Sequence, residues 1–189
     1  MTDIWNNWEF DFNRALERAM HERKQVFLQF EREDCQGCAR LYATTYPNPL
    51  VQQELHRWFV PVKLNIRKDR AIRSQFNAVW TPSMYFVDIR GRSFHSVPGY
   101  LPPEDFRLTL RLGLAKIQIP KGKYDDALTL LEEGLQLFPD NPLGASLLYW
   151  KIIAHYLRTW DKAAMRQGFE TLRRQYPHSV EARMWPYAD

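Results

Sequence analysis

The chain has two cysteines in 189 residues, and they stand as Cys35-Gln36-Gly37-Cys38 directly behind the apolar run VFLQF (26–30). No other feature narrows the fold as much. A short run of this kind suits a buried strand, so the motif falls where the chain leaves a sheet and turns into a helix. A cysteine at a helix N-terminus faces unpaired N–H groups and the positive end of the dipole, which favour thiolate over thiol. Cys38 follows one turn later, near enough to join Cys35 in a disulfide without large backbone motion. In a reducing compartment such a pair is redox-active or part of a metal site rather than a structural staple. A closed zinc site needs four ligands, and His21, His56, His95, His155 and His178 are scattered, none at a ligand spacing from the cysteines. No metal and no cofactor is expected, with only a metal shared between two molecules left open.

Around the motif, helical and strand patterns alternate. Phe12, Leu16, Ala19 and Met20 recur at helical spacing and predict an amphipathic helix over about 10–23. Pro47 and Pro49 interrupt the chain before LVQQELHRWF (50–59), a helix with Val51, Leu55 and Trp58 on one face. VPVKLNI (60–66) reads as a second strand. In the basic stretch that follows, Arg67, Lys68, Arg70 and Arg73 read as a solvated helix face, with a patch for an acidic partner as the alternative. SMYFVDI and RSFHSV are two strands around the turn Arg90-Gly91, and a helix over about 103–119 closes this part. A helix between strands implies a parallel crossover, and the close-set last pair implies an antiparallel hairpin. The expectation is an α/β fold, a mixed sheet with helices on both faces.

That order, with Cys-x-x-Cys directly after the first strand and Thr81-Pro82 directly before the third, resembles the thioredoxin fold. CQGCARLYATTYPNPLVQQELHRWFVPVKLNI, VWTPSMYFVDIRG and VPGYLPPEDF are similar to bacterial thioredoxin-like domains that open with a helix and often carry helical repeats behind. The resemblance covers roughly residues 5–118. It implies that Cys35 is the exposed nucleophile and Cys38 the shielded resolving thiol, exchanging through a mixed disulfide. It also implies a cis peptide bond before Pro82 and a loop that offers the backbone of Thr81 to a bound substrate strand.

Two positions depart from thioredoxins proper. Asp34 stands before the first cysteine in place of a tryptophan, and an anion there opposes thiolate formation. Glu31 and Glu33 add to this, with Arg32 and Arg40 as offsets. Gln29 stands six residues before Cys35, where thioredoxins keep a buried acid that helps deprotonate the resolving thiol, and an amide cannot take a proton. Both departures leave the fold intact and weigh against efficient general disulfide reduction.

Behind the first part, GKYDDALTLLEEGLQLFPDNP resembles the second half of a tetratricopeptide repeat, with Gly122, Tyr124, Ala127, Leu131, Gly134 and Pro139 at the repeat's offsets. A weaker copy places Tyr149, Ile152, Tyr156, Met165, Phe169, Leu172 and Pro177 comparably. The expected organisation is a thioredoxin-like domain over 1–119 and an all-α, tetratricopeptide-like domain over 120–189, sharing the helix near 103–119 and docking rigidly. Two repeats are few for a free-standing solenoid, so their apolar face is expected to pack on the first domain, with a partner-binding groove as the alternative.

Composition excludes several classes. Hydrophobic residues make up 45% and aromatics 14%, including seven Trp, enough for a packed core rather than a disordered chain. The net charge of +4 lies wholly in residues 1–119, with 17 Lys and Arg against 13 Asp and Glu, an excess too small to point to nucleic acid. The start MTDIWNNWEFDF lacks a basic leader and an apolar run, and Leu147 to Leu157 is too short to span a membrane. A cytoplasmic thiol–disulfide oxidoreductase acting on protein dithiols or disulfides is the leading expectation. The alternative is a non-catalytic adaptor that keeps the fold and holds a partner protein on its helical repeats.

Overall fold

The strand ahead of the cysteines, β1 (Gln25–Glu31), lies inside a four-stranded sheet of order β2-β1-β3-β4. A computed structural model describes residues 4–184. On one side β1 pairs in parallel with β2 (Phe59–Asn65), and on the other it pairs antiparallel with β3 (Ser83–Val87). The β3–β4 hairpin (β4, Ser93–Pro98) is antiparallel, and its turn is held by Asp88, whose carboxylate accepts from the backbone of Arg90 and Arg92 and pairs with the Arg92 guanidinium. All five residues of VFLQF are fully buried, as expected of a strand covered on both faces.

Alternation along β1 sorts the core into two layers. Val26, Leu28 and Phe30 pack with Phe12, Ala15 and Ala19 of α1 (Phe12–Glu22) and with Phe76. Phe27 faces the other way and meets Phe86 at 5.6 Å and Phe106 at 5.4 Å, both edge-on. Phe106 belongs to α5 (Pro103–Gln118), which shares this second face with α3 (Pro49–Trp58). Asp11 caps α1 by accepting from the Arg14 amide at 2.9 Å. Within α1 the buried stripe is Phe12, Ala15 and Ala19, whereas Met20 is 61% exposed. The apolar spacing that included Met20 was one residue too wide, because successive residues turn by about 100° and Met20 follows Ala19 round the rim.

One crossover differs from the sequence expectation. The helix between β2 and β3, α4 (Arg70–Gln75), does not produce a parallel pair, because β3 runs antiparallel to β1. A parallel return must carry the chain back along a seven-residue strand, about 23 Å, while six helical residues climb only about 9 Å. The chain therefore stays at one end of the sheet. β3 starts opposite Phe30, at the end where β1 delivers the cysteines.

α3 is tied to α5 by a buried charge cluster. The Glu54 carboxylate receives two hydrogen bonds from Arg107, at 2.7 and 3.0 Å, and two from Arg111, at 2.8 and 2.9 Å. Burial pushes the Glu54 carboxyl up, but the bonds and charges of Arg111 and Arg107 outweigh it and hold it below its ordinary range. The Trp58 ring lies 5.0 Å from the Arg111 guanidinium.

The chain divides into two compact units, Met1–Gly113 and Leu114–Asp189, and the division falls inside α5. In the second unit α6 (Tyr124–Leu137), α7 (Gly144–Thr159) and α8 (Lys162–Gln175) pack in succession. α6 buries Ala127, Leu131 and Gly134, while Ile152, Met165, Phe169 and Leu172 form the core of the α7–α8 pair. At Gly168 a Cβ would come 2.8 Å from Ile152 Cγ1, so the absence of a side chain sets the α7–α8 approach. Among the described residues, no helix is long and apolar enough to cross a membrane.

Candidate active site at the Cys35–Cys38 pair

β1 ends at Glu31, and after three residues Cys35 caps the helix that follows. Its first five residues, Gln36–Arg40, form α2, and the chain continues without a break into a π-helical turn over Leu41–Thr45. Cys35 and Cys38 are joined as a disulfide with their Cα atoms 5.2 Å apart. The Cys38 amide donates to Cys35 Sγ at 3.1 Å. Once the bond is reduced, that donor and the helix start stabilise an anionic sulfur at Cys35. Both sulfur-bearing residues are buried, Cys38 at 1% exposed and Cys35 at 6%, with Cys35 the less covered of the two.

The antiparallel entry of β3 brings Thr81 and Pro82 to the same place. The Thr81–Pro82 peptide bond is cis. Pro82 lies against the cysteine turn, since a Cβ on Gly37 would stand 2.8 Å from Pro82 Cδ and 3.9 Å from Tyr100 Cβ. The Pro82 carbonyl accepts from the Gly99 amide at 2.7 Å, which fixes the 99–101 segment beside it. Tyr100 in turn lies under the Arg40 guanidinium at 4.4 Å and bonds Thr44 Oγ1 at 3.0 Å, while Thr45 Oγ1 donates to the Leu101 carbonyl at 2.6 Å. Cys35, Cys38, Thr81 and Pro82, far apart in sequence, thus share one end of the sheet.

Gln29 is fully buried, and its amide is engaged by two tyrosines of the cysteine helix. The Tyr46 hydroxyl donates to Gln29 Oε1, and Gln29 Nε2 donates to the Tyr42 oxygen at 3.1 Å. The Tyr42 hydroxyl donates in turn to Glu31 Oε2 at 2.6 Å, and Glu31 pairs with Lys63 Nζ at 3.6 Å. Burial, then the bond to Glu31, pushes the Tyr42 hydroxyl far above its ordinary range, and burial does the same to Tyr46. Both stay protonated and act as fixed donors.

Asp34 sits beside Cys35 on the exposed turn. Its carboxylate pairs with Arg67 at 3.8 Å, and Glu33 pairs with Lys68 at 3.6 Å. These contacts are long and solvated, worth little in energy. They do show that two cations of the basic stretch face the acids of this turn. Arg40, expected to offset those acids, lies over Tyr100 instead. Among the described residues no cluster of His, Cys, Asp and Glu is arranged to hold a metal ion. Sequence reasoning missed Tyr42 and Tyr46, and took Tyr100 only as part of the VPGYLPPEDF segment. It also passed over Val79 and Trp80, which are 89% and 61% exposed immediately ahead of Thr81. Two large apolar residues next to a Thr-Pro pair were the available signal.

The sheet order, the capped Cys-x-x-Cys turn and the proline loop against it define a thioredoxin-fold protein with a paired cysteine site. A family model described as a thioredoxin-like domain matches residues 12–113, and the chain belongs to that family. Among solved structures it is similar to a thioredoxin from Thermus thermophilus, with 21% identity over 56% of this chain and 85% of that one, at a TM-score of 0.50. A candidate disulphide-isomerase from Bacteroides thetaiotaomicron matches with 26% identity over 56% and 89%, also at 0.50. A thioredoxin-fold protein from Helicobacter pylori covers 72% of this chain and 96% of its own at 15% identity and a TM-score of 0.52. No curated protein matches the sequence.

Proposed function

We propose that the protein is a thiol–disulfide oxidoreductase that exchanges disulfides with polypeptide substrates through Cys35 and Cys38. The observation that carries this is the arrangement of the pair: Cys35 caps a helix with the Cys38 amide aimed at its sulfur, and the Pro82 loop packs on the turn between them. In the reducing direction, the Cys35 thiolate attacks one sulfur of a client disulfide, forming a mixed disulfide and expelling the other client sulfur as thiolate. Cys38, after losing its proton, attacks Cys35 Sγ. The client leaves as a dithiol and the Cys35–Cys38 disulfide takes up the oxidation. A thiol donor must then return two electrons, and the same steps reversed would oxidise a client. Thr81 is the backbone against which a client strand would lie, and Asp34 and Gln29 modulate the two thiols.

The helices behind Leu114 belong, on this proposal, to a tetratricopeptide-like module, supported by the burial of Ala127, Leu131, Met165 and Phe169 at the repeat's offsets. A second reading, an adaptor that holds a partner protein there, is supported by an open cavity of about 1140 Å³ within this unit, lined by Leu135, Leu143, Leu148, Tyr176 and Val180. The cytoplasmic setting expected from the sequence goes with the first reading.

The deciding experiment is a redox titration of the Cys35–Cys38 couple together with a disulfide-reduction assay. A reversible two-electron couple with turnover supports the oxidoreductase. Thiols that stay inert toward every disulfide favour the adaptor.

A further inference from the structure

We propose that Val79 and Trp80 form an apolar docking platform beside the cysteine pair, selecting extended polypeptide clients with a large apolar or aromatic side chain near the exchanged cysteine. This rests on the oxidoreductase reading and names the substrate class of that same site.

The two side chains are presented outward from a segment held at both ends. Ala78 is 2% exposed and its amide donates to the Arg73 carbonyl at 3.0 Å, while Thr81 is 8% exposed and Pro82 accepts from Gly99. Between these anchors Val79 is 89% exposed and Trp80 61%. Folding leaves the largest apolar side chain of the segment in water, where covering its ring is favourable. Trp80 lies two residues before Pro82, within about 7 Å of chain, and Pro82 touches the turn that carries Cys35. The platform is therefore within a few residues' reach for a client whose sulfur is at Cys35.

Two further observations fix the client's chemistry. Val79 and Trp80, both exposed, take part in none of the backbone hydrogen bonds among the described residues. Their amide and carbonyl groups are open to a chain in extended conformation, the mode by which peptides add to a strand. The chain from Ser74 to Val87 carries no charged side chain, so nothing on the platform itself rewards a charged neighbour of the client cysteine.

The test uses the reduced full-length protein and two short peptides differing only beside their single cysteine, one with Phe and one with Ser, each blocked as a mixed disulfide with a chromogenic thiol. Release of the chromophore gives a rate for each peptide. The expected result is a preference of about tenfold or more for the Phe peptide, the scale of a buried aromatic anchor. That ratio should fall toward one in Trp80→Ala and persist largely in Trp80→Phe, and Val79→Ser should lower it partway. Equal rates for the two peptides in the wild type, or a full preference retained in Trp80→Ala, would overturn the platform while leaving the oxidoreductase reading in place. A wild type that reacts with neither peptide nor a small aromatic disulfide overturns both.

Discussion

Gly37 and Pro82 are in contact through the missing side chain of the first: a Cβ on Gly37 would lie 2.8 Å from Cδ and 3.4 Å from Cγ of the proline ring. Gly37 sits in a helix, where alanine is ordinarily preferred by about 1 kcal/mol. Gly37→Ala should nevertheless destabilise, by about 1–3 kcal/mol, because neither the pyrrolidine ring nor the helix backbone yields easily to an inserted methyl group. The same displacement should open the gap between the proline loop and the cysteines and slow exchange with peptide disulfides. Denaturant melts and exchange rates of the variant check both, and a variant as stable and as fast as wild type would show the contact to be slack.

The proposed mechanism gives the two sulfurs different jobs, in keeping with the lesser burial of Cys35 and the Cys38 amide aimed at its sulfur. Cys38→Ser should therefore accumulate mixed disulfides with clients at Cys35, since nothing remains to release them. Cys35→Ser should accumulate few, because its remaining thiol is covered. Non-reducing gels of both variants after incubation with an oxidised client measure this, and equal trapping by the two would reverse or abolish the assignment.

The Glu54 cluster links pH to stability. Its carboxyl is held below the ordinary range by Arg111 and Arg107 against the opposing effect of burial. A depressed native pKa contributes stability that is complete above the unfolded value of about 4.3 and disappears as pH falls through the native value. Glu54→Ala leaves two guanidinium groups facing a gap and should cost about 3–5 kcal/mol at pH 7. Glu54→Gln should remove most of the wild type's extra loss of stability below about pH 4. Melting temperatures of wild type and Glu54→Gln from pH 3 to 7 test this, and parallel curves would mean that Glu54 does not carry the dependence.

The elements that could be read from the sequence are those whose pattern is local. VFLQF is buried at every position, which a continuous apolar run announces, and the start of a helix at the cysteines follows from the strand before them. What failed needed distances between segments. Met20 fits a helical stripe on paper and lies at its edge in space. The helix between β2 and β3 suggested a parallel return, but six residues are too few to make one. The neutral residue at 29 was evident, yet its two tyrosine partners, 13 and 17 residues away, were not. Nothing in the local pattern says that the helix after Cys38 includes a π turn. Such a turn changes which residues share a face.

The clamp on Gln29 leads to the last prediction. Gln29 accepts from Tyr46 and donates to Tyr42, whose hydroxyl donates to Glu31, so amide and hydroxyls form a directed chain from the cysteine helix to the end of β1. Gln29→Glu keeps the shape but replaces the donating NH₂ with an acceptor, and Tyr42 must then choose between two carboxylates. The new carboxyl is fully buried and close to the Glu31 system, and both effects raise its pKa above the unfolded value of about 4.3. A raised acid is favoured protonated in the fold, so the variant should lose stability as pH rises from about 4.3 and level off above the native value. The loss at pH 7 should be on the order of 3 kcal/mol. Resolution of a Cys35 mixed disulfide should stay within about threefold of wild type from pH 6 to 9, since the tyrosines already hold the new oxygens, whereas a general base in contact with Cys38 would add about a hundredfold. Single-turnover resolution rates from pH 6 to 9 and urea melts from pH 4 to 9 measure the two effects together. A hundredfold acceleration would show that the carboxyl reaches Cys38 past both tyrosines, and a stability independent of pH would show that the amide is not clamped.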